Sequence, residues 1–469
     1  MSEIFDLIII GAGSGGLTAA QFARQLGAKV ALIEKDRIGG DCTWTGCVPS
    51  KALLKAAKVA YHVRTASDYG ICTQPPDVHM GKLRDYIRQV IGEVYQHETP
   101  ESLMHNGIEV VLESARFVAT QTIQAGSRTM SAKKFIIATG ALPFIPPIPG
   151  LQEVPYRTYL DIFDNDYLPD RFVVIGAGPI GAEIAQAYQR LGSQVTLIDI
   201  GLLPREEPEV AEVIGTVFAR EGLQFVKGLV NSARREGNEI VLNIKEHECR
   251  GDMLLVAVGR APNIAGLDLE QAGVIYSDKG IPVDKYLRTN MKHIYAAGDC
   301  VAGNHQFTHV AGWQAFQAAR NALLPFNDRG FSDVVPWTTF TDPEVAHVGL
   351  TEAEAREAYG DAVRVAFWPM ARTDRAVSDN DQDGFIKVMH KKNGKVLGAT
   401  IVAARAGETI TEFAVAIKHG LKLIDLANVI HAYPTYSIAN MQLAGTVTIN
   451  SLLDSTLGKI LLQVSKLTR

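Results

Sequence analysis

Apolar runs alternate along the chain with glycine turns and helix-like segments. The stretch FDLIIIGAGSGG (residues 5–16) leads an apolar strand directly into a glycine turn, and LTAAQFARQLG then continues as a predicted helix. The next apolar run, VALIEK, predicts a strand that ends on Glu34. The order strand, glycine turn, helix, strand and acid predicts a dinucleotide-binding unit of the Rossmann type.

The three glycines of this turn have separate physical tasks. Gly11 allows the tight turn, Gly13 lets the backbone approach a pyrophosphate, and Gly16 lets helix and strand pack closely. The helix N-terminus faces the phosphate charge. At the end of the second strand, Glu34 is expected to accept hydrogen bonds from an adenosine ribose.

The same unit occurs a second time, as RFVVIGAGPIGAEIAQAYQRLGSQVTLIDI. Its glycines are Gly176, Gly178 and Gly181, and its acid is Asp199. Both units separate the first glycine from the acid by 23 positions. Two dinucleotide sites in one chain predict an electron relay between two cofactors.

The acid of the second unit predicts which nicotinamide cofactor binds there. A carboxylate at Asp199 accepts hydrogen bonds from a free 2′-hydroxyl and repels a 2′-phosphate, so NADH is expected in preference to NADPH. Arg205 lies close enough along the chain to weaken that preference. NADPH therefore stays open as an alternative.

Three further apolar runs end in turns of small residues. They read KKFIIATGALP, MLLVAVGRAPN and HIYAAGDCVAG, and the last places Asp299 at the end of a predicted strand. In open α/β sheets such strand ends line the cofactor crevice. Each run alone is also compatible with an ordinary connection from strand to loop.

Two cysteines lie in the segment GGDCTWTGCVPSK, residues 39–51. A helix is predicted to begin near Pro49, which places Cys47 where the helix dipole favours a thiolate. Positions five apart in a regular helix are about 9 Å apart, too far for a disulfide. The segment between Cys42 and Cys47 must therefore bend, and Gly46 supplies the freedom. A redox disulfide, two buried thiols and a zinc half-site remain open, although no further ligands flank the loop at zinc spacing.

Composition narrows the class of protein. The 469 residues suffice for two to four domains, and 47% apolar with 21% charged residues is typical of globular chains. A net charge of −5 without a basic block argues against nucleic acid or an anionic membrane as partner. Five cysteines, no recognisable targeting segment and no apolar run of about 18 residues predict a cytoplasmic protein.

Together these motifs resemble the class I pyridine nucleotide-disulfide oxidoreductases, or flavin disulfide reductases. The resemblance covers essentially the whole chain and is closest to mercuric reductase-like and dihydrolipoamide dehydrogenase-like members. It implies an α/β fold with two Rossmann-like dinucleotide-binding domains and a C-terminal α+β dimerisation domain. The implied domains are FAD-binding (1–150 and 281–333), NAD(P)-binding (151–280) and dimerisation (334–469).

The resemblance also implies roles for individual residues. The first glycine turn with Glu34 would bind FAD, and the second with Asp199 would bind the nicotinamide cofactor. Cys47 would lie next to the flavin, and Cys42 would be the interchange thiol that meets the acceptor. Further implied roles are an ion pair near the reactive flavin nitrogen (Lys51 and Glu183), FAD contacts (Thr139, Gly140 and Asp299) and a turn on the nicotinamide side (Gly259).

The segment HAYPTYSIAN departs from the family pattern. Relatives that act on thiols typically have a catalytic histidine at the position of Tyr433 and an orienting glutamate at the position of Ile438. Tyrosine has a reference pKa of about 10 and is a poor general base at neutral pH. His431, two residues earlier, is open to two interpretations, an ordinary loop histidine and a replacement base.

This departure favours a mercuric reductase-like enzyme that passes electrons from NADH through FAD and the dithiol to a soft metal ion or a similar acceptor. A soft ion binds thiolate directly, as a transient contact at Cys42 and Cys47, and needs no base. Mercuric reductases typically end in a vicinal cysteine pair, whereas the sequence here ends GKILLQVSKLTR. A dihydrolipoamide dehydrogenase-like enzyme, a quinone-reducing diaphorase and a redox-sensing flavoprotein remain alternatives. The resemblance further implies a homodimer with an active site shared between subunits.

Overall fold

The computed structural model describes residues 4–245, 247–456 and 458–460, so the outer ends of the predicted first and last domains lie outside the described residues. The chain divides into two compact units. The first unit contains the residues up to Gly176 together with Ala187–Thr196 and Val230–Ser332. The second contains Ala177–Gln186, Leu197–Leu229 and the residues from Asp333 onwards.

The strands follow the apolar runs of the sequence. In chain order they are β1 (Ile4–Ile10), β2 (Val30–Glu34), β3 (Glu109–Leu112), β4 (Ala115–Ala119), β5 (Thr122–Ala125), β6 (Arg128–Ile137), β7 (Ala141–Pro143), β8 (Arg171–Ile175), β9 (Gln194–Asp199), β10 (Gln224–Lys227), β11 (Ser232–Glu236), β12 (Glu239–Ile244), β13 (His247–Gly251), β14 (Met253–Val256), β15 (Arg260–Pro262), β16 (Ile294–Ala296), β17 (Trp337–Thr339), β18 (Glu344–Gly349), β19 (Val363–Pro369), β20 (Phe385–Lys391) and β21 (Val396–Ala403).

The helices connect and cover these strands. In chain order they are α1 (Ser14–Gln25), α2 (Gly40–Trp44), α3 (Cys47–Arg64), α4 (Met80–Tyr95), α5 (Pro100–His105), α6 (Pro179–Leu191), α7 (Pro208–Arg220), α8 (Thr308–Leu323), α9 (Glu352–Tyr359), α10 (Asp374–Ser378), α11 (Ala406–Thr409), α12 (Thr411–His419), α13 (Leu423–Ala427) and α14 (Ile438–Asp454).

The main sheet of the first unit has, among the described residues, the strand order β3-β2-β1-β6-β5-β4, and β16 pairs with β6. The strands β1, β2, β3, β6 and β16 pair in parallel, and β4, β5 and β6 form an antiparallel meander. Apolar side chains cover both faces of β1, with Leu7 and Ile9 on one and Ile8 and Ile10 on the other. Such two-sided burial explains why the sequence of β1 is a continuous apolar run.

The first unit contains further strand pairs beyond the main sheet. Strand β8 pairs in parallel with β14, and Met253 lies opposite Phe172. The strands β11, β12 and β13 form an antiparallel sheet. A short antiparallel pair joins β15 to β7, with Arg260 opposite Pro143. The apolar runs that end in ATG and AVG therefore form strands, as predicted.

The second unit contains the C-terminal sheet. Within the part of the chain that the structure describes, its five strands have the order β17-β18-β21-β20-β19 and all pair antiparallel. Helices α12, α13 and α14 contribute apolar side chains such as Phe413, Leu426 and Leu443 to its core. An antiparallel sheet with helices packed against it confirms the predicted α+β architecture of this domain.

A buried lysine forms ion pairs with three glutamates in the second unit. Lys387 on β20 is 2% exposed, and its Nζ lies 3.0 Å from Glu207 Oε2, 2.7 Å from Glu209 Oε1 and 2.8 Å from Glu352 Oε2. The neighbouring Glu206 accepts a hydrogen bond from the indole N–H of Trp337 (2.7 Å), and burial raises the pKa of this carboxyl group to about 7. These contacts with Trp337 on β17 and Lys387 on β20 therefore attach residues 206–209 to the C-terminal sheet.

None of the helices in the described ranges combines the length and the apolar character needed to cross a membrane.

Candidate active site

Residues 39–51, called the redox loop after their predicted role, contain helix α2 and the start of α3, which meet at a sharp turn. Helix α2 ends at Trp44, and α3 begins at Cys47, two residues before the predicted start. The Thr45 N–H donates to the Asp41 carbonyl at 2.9 Å. A Cβ atom on Gly46 would lie 2.8 Å from that carbonyl oxygen, so a side chain at position 46 would open the turn.

This turn brings the two thiols together. Cys42 is partly buried and Cys47 is exposed, and both are free thiols. Hydrogen-bonding contact with the Cys47 thiol, together with burial, raises the pKa of Cys42 above its usual range. The Cys47 sulfur also lies 3.3 Å from the Thr308 hydroxyl at the start of α8. The Cys42 thiol therefore loses its proton less readily than an isolated thiol does.

An acid that the sequence analysis did not single out lies beside the loop. Glu98, just after α4, accepts a hydrogen bond from the Thr43 hydroxyl at 3.1 Å. Its negative charge contributes to the raised pKa of Cys42. A Cβ atom on Gly39 would lie 3.0 Å from Glu98 Oε2, so this carboxylate packs directly against the loop.

The first glycine turn is closely packed. Gly11 has φ +100°, and a Cβ atom there would lie 2.4 Å from the Ala138 carbonyl oxygen. A Cβ atom on Gly16 would lie 1.8 Å from the Gly11 carbonyl oxygen, which no side chain tolerates. The Glu34 carboxylate accepts the Ala12 N–H at 2.7 Å, which places this acid at the turn.

The first glycine turn also contacts the redox loop. A Cβ atom on Gly40 would lie 2.7 Å from the Gly13 Cα atom, and the Gly39 N–H donates to the Ala12 carbonyl at 2.9 Å. The structure thus places Cys42 and Cys47 next to the predicted FAD-binding turn. This proximity depends on glycines from two separate motifs.

The second glycine turn repeats the geometry of the first. Gly176 has φ +106°, and a Cβ atom there would lie 2.4 Å from the Ala257 carbonyl oxygen. The Asp199 carboxylate accepts the Ala177 N–H at 2.6 Å, as Glu34 does from Ala12 in the first turn. A Cβ atom on Gly178 would meet nothing within 4 Å, which leaves that face of the turn open. Gly181 is buried on α6.

The other predicted cofactor contacts lie in the first unit. Asn263 links Thr139 and Gly140, because its side chain donates to the Thr139 carbonyl (3.1 Å) and its N–H to the Gly140 carbonyl (2.9 Å). Gly140 (φ +70°) and Gly259 (φ +151°) would each carry a Cβ atom in open space. Asp299 is buried in a 3₁₀ turn directly after β16.

These residues fit a flavin dinucleotide. Gly13 precedes α1 and has no side chain with which to cap its N–H groups, so they suit a pyrophosphate. The Thr45 hydroxyl oxygen is buried and makes no hydrogen bond within the described residues, and such an atom normally has a partner. The open face at Gly140 leaves space for close approach of a ligand.

Lys51 and Glu183 lie in different units. The Lys51 ammonium donates to the Ser50 hydroxyl at 3.3 Å. Glu183 is buried, and its carboxylate accepts the Phe340 N–H at 2.8 Å. Their ion pair stays a prediction.

At the position expected for a catalytic histidine, Tyr433 is 66% exposed. Its hydroxyl donates to Asp374 Oδ2 at 2.8 Å, and this hydrogen bond raises the pKa of Tyr433. A tyrosine held in its protonated form is a poorer base still. Ile438, at the position expected for the glutamate, is buried at the start of α14.

His431 is engaged through both ring nitrogens. Its Nδ1 lies 2.8 Å from the Val429 carbonyl oxygen, and its Nε2 lies 3.1 Å from Glu412 Oε1. Both partners are acceptors, so making both hydrogen bonds requires a proton on each nitrogen. The Asn440 amide also donates to Glu412, at 2.8 Å. Both ring nitrogens of His431 are therefore already engaged with groups of the chain itself.

No group of three or more His, Cys, Asp or Glu side chains in residues 4–245, 247–456 and 458–460 is arranged to hold a metal ion. The transient metal contact at Cys42 and Cys47 stays a prediction.

Comparison with known families yields two matches. Residues 5–315 match the model described as pyridine nucleotide-disulphide oxidoreductase, and residues 335–443 match the dimerisation domain of the same family.

Individual relatives cover most of the chain. Mercuric reductase from Bacillus cereus is 36% identical over 440 residues, which is 92% of this chain and 69% of that protein. Dihydrolipoyl dehydrogenase from Haloferax volcanii is 36% identical over 461 residues, covering 94% of this chain and 95% of that protein. Among solved structures, the flavoprotein disulfide reductase RclA from Escherichia coli, as a Cu(II) complex, has a TM-score of 0.84 and 28% identity, covering 94% of this chain and 99% of RclA.

Proposed function

Because the chain belongs to the pyridine nucleotide-disulphide oxidoreductase family, we propose that it uses NADH and the Cys42–Cys47 pair to reduce a soft metal ion or a similar acceptor. The family uses FAD and NAD(P)H. FAD, when bound, supplies two-electron chemistry between the nicotinamide and the thiols. The first glycine turn, Glu34, Thr139, Gly140 and Asp299 would hold it.

The observation that carries the proposal is the engagement of both acid–base candidates in the C-terminal domain. Tyr433 donates to Asp374, and His431 contacts an acceptor at each ring nitrogen. In exchange with a disulfide acceptor, the attacking thiol must give its proton to a general base. A soft metal ion binds thiolate directly and has no such requirement.

The chain's own thiols suit this chemistry. Cys47 lies at the first residue of α3, where the helix dipole favours its thiolate, and the Thr308 hydroxyl lies 3.3 Å from its sulfur. The pKa of Cys42 is raised, and a soft ion that binds both sulfurs displaces the proton from this thiol. That RclA was solved as a Cu(II) complex supports an acceptor of this class.

The proposal also covers the nicotinamide cofactor, the oligomeric state and the location of the protein. We assign NADH as the preferred cofactor because Asp199 lies at the second glycine turn, where its charge repels a 2′-phosphate. The dimerisation domain supports a homodimer, with an active site that the two subunits share. A cytoplasmic location suits a pair of thiols that must stay reducible.

The test is NADH oxidation by the purified flavoprotein, with mercuric ion buffered by excess thiol compared with lipoamide. We expect mercury-dependent turnover with negligible lipoamide activity. Cys72→Ala is the matched control, because it removes an exposed thiol outside the loop and should leave turnover unchanged. Rapid lipoamide turnover would overturn the proposal and favour the dihydrolipoamide dehydrogenase-like alternative, which the Haloferax relative supports.

A further inference from the structure

One arginine in the first unit joins two acids from distant parts of the sequence. Arg260, at the start of β15, places Nη2 at 2.7 Å from Asp41 Oδ2 and Nη1 at 2.6 Å from Asp299 Oδ2. The Arg260 side chain is 19% exposed and that of Asp299 only 10%. A guanidinium presents its donors in a rigid fork, which suits contact with two carboxylates at once.

A buried tyrosine completes this cluster. The Tyr159 hydroxyl accepts from Arg260 Nε at 3.4 Å and donates to Asp41 Oδ2 at 3.2 Å. The guanidinium lies 5.3 Å from the centre of the Tyr159 ring. Burial raises the pKa of Tyr159, so its hydroxyl keeps the proton that it donates. The Asp41 carboxylate is therefore held from two directions.

The backbone of Asp41 closes the turn of the redox loop. Its carbonyl accepts the Thr45 N–H at 2.9 Å and closely approaches Gly46, between the two cysteines. Its side chain leads out of the loop to Arg260. Because its backbone carbonyl is hydrogen-bonded within the loop and its side chain is bound to Arg260, Asp41 links Arg260 to the loop that carries Cys42 and Cys47.

The other acid of the cluster belongs to the predicted flavin contacts. Asp299 follows β16, and Arg260 is the cation that offsets its buried charge. Removing the arginine leaves Asp41 and Asp299 as two partly buried carboxylates without this counter-charge. Such a loss is strongly unfavourable, because a buried charge then remains uncompensated.

We propose that Arg260 is a positioning residue that fixes the redox loop through Asp41 and the flavin-binding turn through Asp299, and thereby sets the thiol–disulfide equilibrium of Cys42 and Cys47. The inference rests on the proposed redox role of the pair, but not on the identity of the acceptor. A loop held in one geometry keeps the sulfurs together and favours the disulfide over the dithiol. A looser loop lowers the effective concentration of one thiol near the other.

The equilibrium is measured on the holoenzyme in dithiothreitol redox buffers without NADH or acceptor. The Cys42–Cys47 disulfide and reduced dithiothreitol exchange to give two protein thiols and oxidised dithiothreitol, so two electrons and two protons pass between the pairs. Alkylation followed by mass analysis counts the protein thiols. We expect Arg260→Gln to shift the equilibrium about 10-fold toward the dithiol, equivalent to about 30 mV.

Two further variants test the route through Asp41. Asp41→Asn should shift the equilibrium in the same direction, and the double variant should shift it no further than Arg260→Gln alone. The matched control is Arg288→Gln, since Arg288 pairs with Asp284 at 2.7 Å and lies over the Tyr286 ring in the same unit. An unchanged equilibrium in both Arg260→Gln and Asp41→Asn overturns the proposal, as does an equal shift in the control.

The flavin side is tested by a second readout, the rate at which FAD fluorescence appears after dilution of the holoenzyme. Arg260→Gln should release flavin several times faster than the unaltered protein, whereas Asp41→Asn should not. Equal release rates for Arg260→Gln and the unaltered protein contradict the role through Asp299. Neither measurement uses an acceptor, so a failure of the metal-reduction proposal leaves both results interpretable.

Discussion

The redox loop and the segment 431–438 both occupy positions where the family has reactive residues, but they are built in opposite ways. In the loop, the Cys42 and Cys47 thiols contact each other and Cys47 remains exposed. In the segment, Tyr433 and His431 already make hydrogen bonds to carboxylates. The loop thus keeps a thiol accessible for exchange, whereas both side chains of the segment are already engaged with carboxylates.

Of the changes considered, removing the interchange thiol should have the largest effect on turnover. Cys42→Ala is expected to lower mercury-dependent NADH oxidation by at least about 10³-fold, because the acceptor then meets a single thiol. Direct reduction of a quinone by the flavin should stay within about 2-fold. Steady-state assays with both acceptors check this, and mercury turnover that survives the substitution would contradict the role given to the pair.

Restoring the family dyad should have the next largest effect. Tyr433→His combined with Ile438→Glu is expected to raise lipoamide turnover by about 10- to 100-fold, since a general base contributes about 10²–10⁴-fold when well placed. Tyr433→Phe is the control, because it breaks the contact with Asp374 without adding a base. If lipoamide kcat does not rise in the double variant, the missing dyad is not the limitation.

Glu98 offers a smaller perturbation of the loop. Glu98→Gln removes a negative charge near Cys42, so the pKa of the thiol falls and its thiolate fraction rises at a given pH. Alkylation of Cys42 in the reduced holoenzyme should become about 3- to 10-fold faster, and its pH profile should shift to lower pH. Peptide mass spectrometry separates Cys42 from Cys47.

The control for this experiment is Glu93→Gln, because Glu93 is an exposed acid on α4 that accepts a hydrogen bond from Gln89. An equal alkylation rate in Glu98→Gln and in the unaltered protein would show that the Glu98 charge does not act on Cys42.

The smallest effect on turnover is expected at His431. His431→Ala should leave mercury and lipoamide activities within about 2-fold, because the ring has no free nitrogen to act as a base. Loss of the Glu412 contact should lower the free energy of unfolding by about 1–2 kcal/mol. Denaturant unfolding measures the second effect, and a selective loss of lipoamide activity would restore the replacement-base interpretation.

Sequence patterns predicted the glycine turns and strands because local sterics and apolar runs determine them. The spacing of Gly11 and Glu34 recurs at Gly176 and Asp199, and both acids accept the alanine N–H of their own turn. The fold class, the family and its cofactors are confirmed. The domain limits and the individual site roles stay predictions.

Other features depend on contacts between distant segments. Glu98 and Thr308 reach the thiols from far along the chain, and no local pattern marks them. Gly46 lies at the bend between the two helices, as expected. A glycine is also needed there for a reason that the sequence did not show, because the Asp41 carbonyl approaches so closely.

The cluster around Lys387 restricts how this protein can be engineered. Changing its preference from NADH to NADPH would normally mean exchanging Asp199 and the loop that follows it. The segment that follows includes Glu207 and, at the start of α7, Glu209, which offset the buried ammonium of Lys387. Replacing both acids would leave Glu352 to offset that charge by itself among the described residues, and the loss of partners of a buried charge is strongly destabilising. Libraries for cofactor choice should therefore vary positions 199–205 and keep both glutamates.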